Sequence, residues 1–253
     1  MEIAERCFVV TGAGRGIGRA MAEELARRGA GLALIDMSDA TLEEATNTCR
    51  SLGGKAKSYR ANVADEPQVV ETFAAIRTDF GAIAGLINNA GILRDGLLVK
   101  AKEGRVEKKL SLDQWQAVID VNLTGTFLCG REAAAAMIEH GAGGVIINIS
   151  SVARAGNIGQ SNYAASKAGV AALVVCWARE LARYGIRVAG IAPGVFATEM
   201  VLNMKPEALA RLNQAIPLGR PGVLSELAAT AAFIIENDYV TGRILEVDGG
   251  IHM

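Results

Sequence analysis

The sequence predicts an α/β fold: a single-domain, seven-stranded parallel sheet, doubly wound, with helices on both faces. Three observations carry that expectation. Short apolar runs alternate with longer helix-periodic segments from one end of the chain to the other, the pattern of parallel strands joined by crossover helices. Runs such as Val145-Ile146-Ile147-Asn148-Ile149 are largely apolar on both faces, as expected for a strand covered on each side by helices. A glycine-rich turn, Thr11-Gly12-Ala13-Gly14-Arg15-Gly16-Ile17-Gly18, lies between the first strand and the first helix. The chain has 253 residues, 51% of them hydrophobic and 21% charged, with five prolines, so residues 1–253 are expected to share one buried core without a long disordered segment.

Taken in order, the first strand reads as 7–11 and the glycine turn leads into a helix over 16–28 that stops at Gly29. A strand over 31–35 follows, then a helix over 39–52 closed by Gly53, and a third strand over 55–60. The helix over 67–80 starts after the capping residue Asp65 and ends at Gly81. The fourth strand, 84–88, is followed by an irregular insert, 100–109, in which Lys100, Lys102, Arg105, Lys108 and Lys109 outnumber Glu103 and Glu107. A long helix over 112–139 starts after Ser111 and leads to the fifth strand, 144–150. A helix over 163–184 ends at Gly185 and precedes the sixth strand, 187–192. The stretch 196–221 contains Pro206, Pro217 and Pro221 and is expected to form a mobile lid. A helix over 225–236 and a strand over 244–247 complete the pattern.

Composition excludes several function classes. A formal net charge of −1 gives no general basic field, which argues against nucleic acid or an anionic membrane as the main partner. The longest apolar stretch, 168–178, is far short of the roughly 18 residues that span a bilayer. The N-terminus, Met1-Glu2-Ile3-Ala4-Glu5-Arg6, does not resemble a signal peptide, so a cytoplasmic location is expected. Cys7, Cys49, Cys129 and Cys176 are scattered and are expected to be reduced structural thiols. With only His140 and His252 present, a His-centred triad or a multi-His metal site has little to draw on, and no metal is expected.

Tyr163 and Lys167 stand four apart, one turn along the same helix face. A phenol has a pKa of about 10, and a fixed ammonium beside it favours the phenolate, so the pair suits proton transfer. The glycine turn sits where backbone approaches a pyrophosphate and a helix N-terminus points at it, although its spacing, Gly12-x-x-x-Gly16-x-Gly18, departs from the strict dinucleotide pattern. Asp36, at the end of the second strand, suits the adenosine ribose hydroxyls and would oppose a 2′-phosphate, whereas Arg15 would attract one. The balance predicts NAD(H), with NADP(H) as the alternative.

Together these motifs resemble the short-chain dehydrogenase/reductase family over the whole chain. Its T-G-x-x-x-G-x-G turn matches 11–18; Asn62-Val63 resembles its adenine-contacting pair and Asn88-Asn89-Ala90-Gly91 its N-N-A-G signature. Asn122 matches the family's helix asparagine, Ser150, Tyr163 and Lys167 its catalytic set, and Pro193-Gly194 with Thr198 its nicotinamide-side loop. The phrases at 90–95 and 159–169, and the ending Val247-Asp248-Gly249-Gly250, are similar to the 3-oxoacyl-(acyl carrier protein) reductase subgroup.

The resemblance implies a Rossmann fold and a catalytic set of Asn122, Ser150, Tyr163 and Lys167. Gly12, Arg15, Gly16, Ile17, Gly18, Asp36, Met37, Asn62, Val63, Asn89, Ala90, Gly91, Tyr163, Lys167, Pro193, Gly194, Phe196 and Thr198 would then bind the cofactor. Tyr163 would exchange the proton, Ser150 would hydrogen-bond the substrate carbonyl, and Lys167 would lower the Tyr163 pKa and bind the nicotinamide ribose. Asn122 would kink its helix and hold a relay water. The implied reaction is reduction of a 3-oxoacyl thioester on coenzyme A or an acyl carrier protein. The alternatives are an NAD-dependent dehydrogenase of another secondary alcohol, steroid or sugar, and a cofactor-binding regulatory protein without catalysis. The helix end Ile138-Glu139-His140-Gly141 lacks the basic residues the subgroup tends to use for its acidic carrier. A homotetramer is expected from the resemblance.

Overall fold

A computed structural model describes residues 1–251, apart from the side chain of Met200; His252 lies outside the described residues. The seven sheet strands run β1 (Cys7–Thr11), β2 (Gly31–Asp36), β3 (Lys55–Arg60), β4 (Ile83–Asn88), β7 (Gly144–Ile149), β8 (Ile186–Pro193) and β9 (Ile244–Val247). Two further strands, β5 (Val99–Lys102) and β6 (Arg105–Lys109), pair only with each other. The sheet order is β3-β2-β1-β4-β7-β8-β9 with every pair parallel. The connections reverse direction between β1 and β4, the crevice where such sheets bind ligands.

Alternation along each strand builds two cores. Phe8 and Val10 point to one face, where they meet Met21 and Leu25 of α1 (Gly16–Arg27), Leu42 of α2 (Asp39–Ser51) and Ile234 of α9 (Leu224–Glu236). Cys7 and Val9 point to the other, against Phe73 of α3 (Glu66–Phe80) and Leu128 and Met137 of α5 (Gly125–His140). Phe8, Met21, Leu25 and Phe73 are fully or almost fully buried, each contributing about 2 kcal/mol of apolar transfer. Capping follows the sequence: Asp65 accepts from the Gln68 amide at 3.1 Å, and Ser111 accepts from the Gln114 amide at 3.1 Å.

Four stretches depart from the sequence expectation. The helix expected over 112–139 is two helices, α4 (Leu112–Ile119) and α5, joined by a π-helical turn (Asp120–Thr124) that contains Asn122. The insert expected to be irregular is the β5–β6 hairpin. Glu103 and Gly104 at its tip both have positive φ (51° and 75°), as a two-residue type I′ turn demands. The stretch 196–221, expected as a lid with no helix of its own assigned, carries α7 (Glu199–Leu202) and α8 (Pro206–Ala215), the latter opened by Pro206 in its first turn. The helix expected over 163–184 is α6 (Ser161–Leu181), followed by a short 3₁₀ turn (Ala182–Tyr184).

Candidate active site

Parallel strands deliver their C-terminal ends to one edge. There β1 ends at Thr11, β2 at Asp36, β4 at Asn88, β7 at Ile149 and β8 at Pro193. The glycine turn crosses this edge into α1. A Cβ added to Gly18 would stand 2.3 Å from the Gly12 carbonyl oxygen and 2.4 Å from Asn89 Nδ2, so only glycine fits. Beside Gly16 nothing lies within 4 Å. No side chain caps the first-turn amides of α1, an arrangement that accepts a phosphate.

The cradle is braced from β4. Thr11 Oγ1 accepts the amides of Asn89 and Ala90, both at 3.0 Å, and Asn89 Nδ2 donates to the carbonyls of Thr11 and Gly12, both at 3.1 Å. Asp36 Oδ2 accepts the Gly14 amide at 2.9 Å while Oδ1 accepts the Met37 amide at 2.7 Å, which fixes the carboxylate beside the turn. Arg15 is exposed and makes no ion pair among the described residues. Asn62 Oδ1 accepts the Ala64 amide at 3.0 Å, and Val63 is buried next to Gly125. These features fit a dinucleotide: glycines where a Cβ would fill the cradle, free helix amides, and a fixed carboxylate.

The catalytic candidates come from β7, the π-turn and α6. Lys167 is buried, its Nζ donates to the Ile149 carbonyl at 2.7 Å, and it lies 5.7 Å from the centre of the Tyr163 ring. Burial destabilises the ammonium and brings the Lys167 pKa down to about 8. The Tyr163 phenol is pushed up, mainly by burial; the Ser151 side chain opposes this by hydrogen bonding, and the Asp95 carboxylate adds to it. The phenol is therefore held protonated in this arrangement, rather than lowered by Lys167 as the spacing suggested, because desolvation dominates and the ammonium itself is penalised by the same burial.

Two placements correct the sequence reading. The Ser150 hydroxyl, buried, donates to the Lys167 carbonyl at 2.8 Å and supports α6. Its neighbour Ser151 is the serine that faces Tyr163. Ser151 is fully extended (φ −167°, ψ 156°), so adjacent side chains point to opposite sides and one step along the chain exchanges their partners. Phe196, expected at the cofactor, is buried, with its ring against Gly222 and its backbone bridged to the same residue.

Asn122 is fully buried. Its Oδ1 accepts the Ile92 amide at 2.8 Å and its Nδ2 donates to the Ile92 carbonyl at 3.1 Å and to Ser166 Oγ at 3.2 Å, tying the chain after β4 to α6. Gly91 lies beside it; a Cβ there would stand 3.3 Å from Asn122 Oδ1 and 3.7 Å from Lys167 Nζ. Ile17 packs partly against the core and Met37 is exposed. Pro193 is buried at the end of β8, Gly194 donates to the Val247 carbonyl at 2.9 Å, and Thr198 precedes α7.

Sequence reasoning missed Ser151, Thr11 and Asn162. Asn162 is fully buried; its Oδ1 accepts the Tyr163 amide at 2.8 Å, and its Nδ2 donates to the carbonyls of Arg94 at 3.0 Å and Gln114 at 3.1 Å. An Asn directly before the Tyr, at a helix start, was the available signal.

A family model described as enoyl-(acyl carrier protein) reductase matches residues 12–252. The chain is 39% identical to the 3-oxoacyl-(acyl carrier protein) reductase FabG of Thermotoga maritima, with 99% of each covered. It is 38% identical to the (3R)-3-hydroxyacyl-CoA dehydrogenase of Mus musculus, over all of this chain and 98% of the other. A crystal structure of a provisionally assigned gluconate dehydrogenase from Agrobacterium tumefaciens superimposes with a TM-score of 0.90 at 34% identity, covering 99% of this chain and 97% of that one.

Proposed function

Because the chain belongs to the short-chain dehydrogenase/reductase family, a family of nicotinamide-dependent oxidoreductases, we propose that it reduces the ketone of a 3-oxoacyl thioester to the secondary alcohol. The observation that carries this reading is the meeting of Tyr163, Lys167 and Ser151 next to the glycine cradle. Relatives named for 3-oxoacyl-(acyl carrier protein) and 3-hydroxyacyl-CoA chemistry support the substrate class.

A nicotinamide cofactor bound here would supply hydride to the ketone carbon. The glycine turn and the α1 N-terminus would hold its pyrophosphate, and Asp36 would accept from its ribose. Ser151 donates to the carbonyl oxygen and stabilises the charge that grows there. Tyr163 Oη gives that oxygen its proton; in the oxidative direction the phenolate takes it back. Lys167, 5.7 Å from the Tyr163 ring, returns the proton to the phenol. Ser150 and Asn162 fix the backbone of α6 at Lys167 and Tyr163, and Asn122 holds α6 through Ser166 Oγ. The stretch 196–221 closes over the substrate.

Asp36, fixed by the Gly14 amide, favours NAD(H), since a 2′-phosphate would meet its charge. Exposed Phe127 and Ile138 on α5 and Phe233 on α9 offer apolar contacts for a homotetramer, which native mass measurement tests. The gluconate-type neighbour supports a second reading, oxidation of a sugar acid. Steady-state rates with acetoacetyl-CoA and with gluconate separate the two: the first reading predicts turnover of the thioester alone, and turnover of gluconate alone overturns it.

A further inference from the structure

The β5–β6 hairpin takes no part in the reaction just proposed, yet its stem is built into the approach to Tyr163. The Leu110 amide donates to the Leu98 carbonyl at 3.1 Å and the Gly96 amide to the Gly159 carbonyl at 2.8 Å. Gln160 donates to Asp95 at 2.9 Å, and Gly159-Gln160 lead directly into α6. Beyond that stem every residue of both strands is exposed. A two-stranded hairpin with neither face covered is marginal in water.

The register sorts its side chains. Lys100 stands opposite Lys108 and Lys102 opposite Arg105, which collects four cations on one face. Val99, Ala101 and Val106 share the other with Lys109. Like charges directly across a strand pair destabilise it, and only Lys100 has a counter-ion among these four within the described residues, Glu107 at 2.7 Å. Five cations against two carboxylates are concentrated here, on a chain whose formal net charge is −1. By the same alternation exposed Leu97 extends the apolar side into the stem, while exposed Leu98 falls on the cationic side. By contrast the cation of α5, Arg131, is neutralised by Glu66 and Glu132, both at 2.8 Å.

We propose that this hairpin is a docking arm for an acidic acyl carrier protein that presents the thioester; the assignment rests on the substrate class proposed above. An acidic protein surface offsets the cross-strand repulsion and covers exposed Leu98 beside the cations. The phosphates of coenzyme A account for the cations but leave Leu98 bare. A second copy of this chain would bring the same cations against themselves in a two-fold contact.

The test measures initial rates on acetoacetyl groups carried by acyl carrier protein, by coenzyme A and by N-acetylcysteamine. Wild type is compared with K100E/K102E/R105E/K108E and with the milder tip variant K102E/R105E, which guards against misfolding of the first. The expected result is a rise in KM for the carrier substrate of about tenfold or more, with kcat retained. Both variants keep wild-type rates on the N-acetylcysteamine thioester, and the wild-type advantage on the carrier substrate shrinks as salt is raised. An equal loss on coenzyme A makes phosphate the ligand and overturns the protein partner. Unchanged KM for the carrier substrate in both variants overturns the docking arm while leaving the reaction intact. A wild type inert on all three thioesters overturns the substrate reading and the arm with it.

Discussion

Ser150 and Ser151 are neighbours with opposite duties. Ser150 Oγ donates to the Lys167 carbonyl and Ser151 faces Tyr163, so replacing each by Ala separates structure from chemistry. Ser151→Ala is expected to lower kcat by about 10²–10³ with cofactor affinity unchanged, the size of one lost donor to a developing oxyanion. Ser150→Ala is expected to keep most of kcat and to lose about 1 kcal/mol of stability in thermal unfolding. The reverse pattern would return the catalytic role to Ser150. The Tyr163 and Lys167 pair was legible because helix spacing alone brings i and i+4 together. The choice between two serines was not, since it depends on β7 ending at Ile149 and on the extended backbone of Ser151.

Titration of Lys167 gives a second test at this scale. Its folded pKa of about 8 lies below the unfolded value of 10.5. Between these values the unfolded chain binds more protons, so its contribution to stability rises with pH from about 8 to about 10.5 and is least below pH 8. Relative to Lys167→Met, the cofactor-free protein is expected to gain about 2 kcal/mol between pH 8 and pH 10 in denaturant unfolding. Tyr163 acts oppositely at higher pH: its raised pKa means the unfolded chain ionises first, and stability falls above about pH 10. A flat difference between wild type and Lys167→Met would mean that the ammonium is not desolvated.

At the scale of elements, the seven sheet strands were readable within one residue, and the helices over 16–28, 39–52, 67–80 and 225–236 equally so, because apolar runs and glycine stops coincide with their ends. The π-turn was not: one residue added to an α-helix leaves the hydrophobic pattern almost intact, and a mid-helix Asn122 was its only trace. The hairpin was hidden because charge, not alternating hydrophobicity, fills its strands, and α7 and α8 were hidden among prolines. The glycine turn makes an element-level prediction. Gly18→Ala would force a Cβ into the Gly12 carbonyl and the Asn89 amide, both under 2.5 Å away. NADH affinity measured by fluorescence titration is expected to fall at least about tenfold as the cradle shifts; unchanged affinity would remove this turn from the cofactor site.

For the molecule as a whole, parallel strands and helix N-termini place the candidate groups at one edge of one sheet, the arrangement that the proposed reaction of a dinucleotide with a ketone beside it requires. A ligand that binds only the folded state raises its stability by mass action. NADH is expected to raise the unfolding temperature of both the wild type and Tyr163→Phe, since the phenol hydroxyl serves chemistry more than binding. The most direct measurement is therefore NADH and NADPH oxidation with acetoacetyl-CoA by wild type and Tyr163→Phe. The account predicts turnover by wild type, faster with NADH, and a loss of at least about 10²-fold in the variant while NADH still stabilises it. A wild type inert with both cofactors, or a variant that keeps its rate, would contradict it.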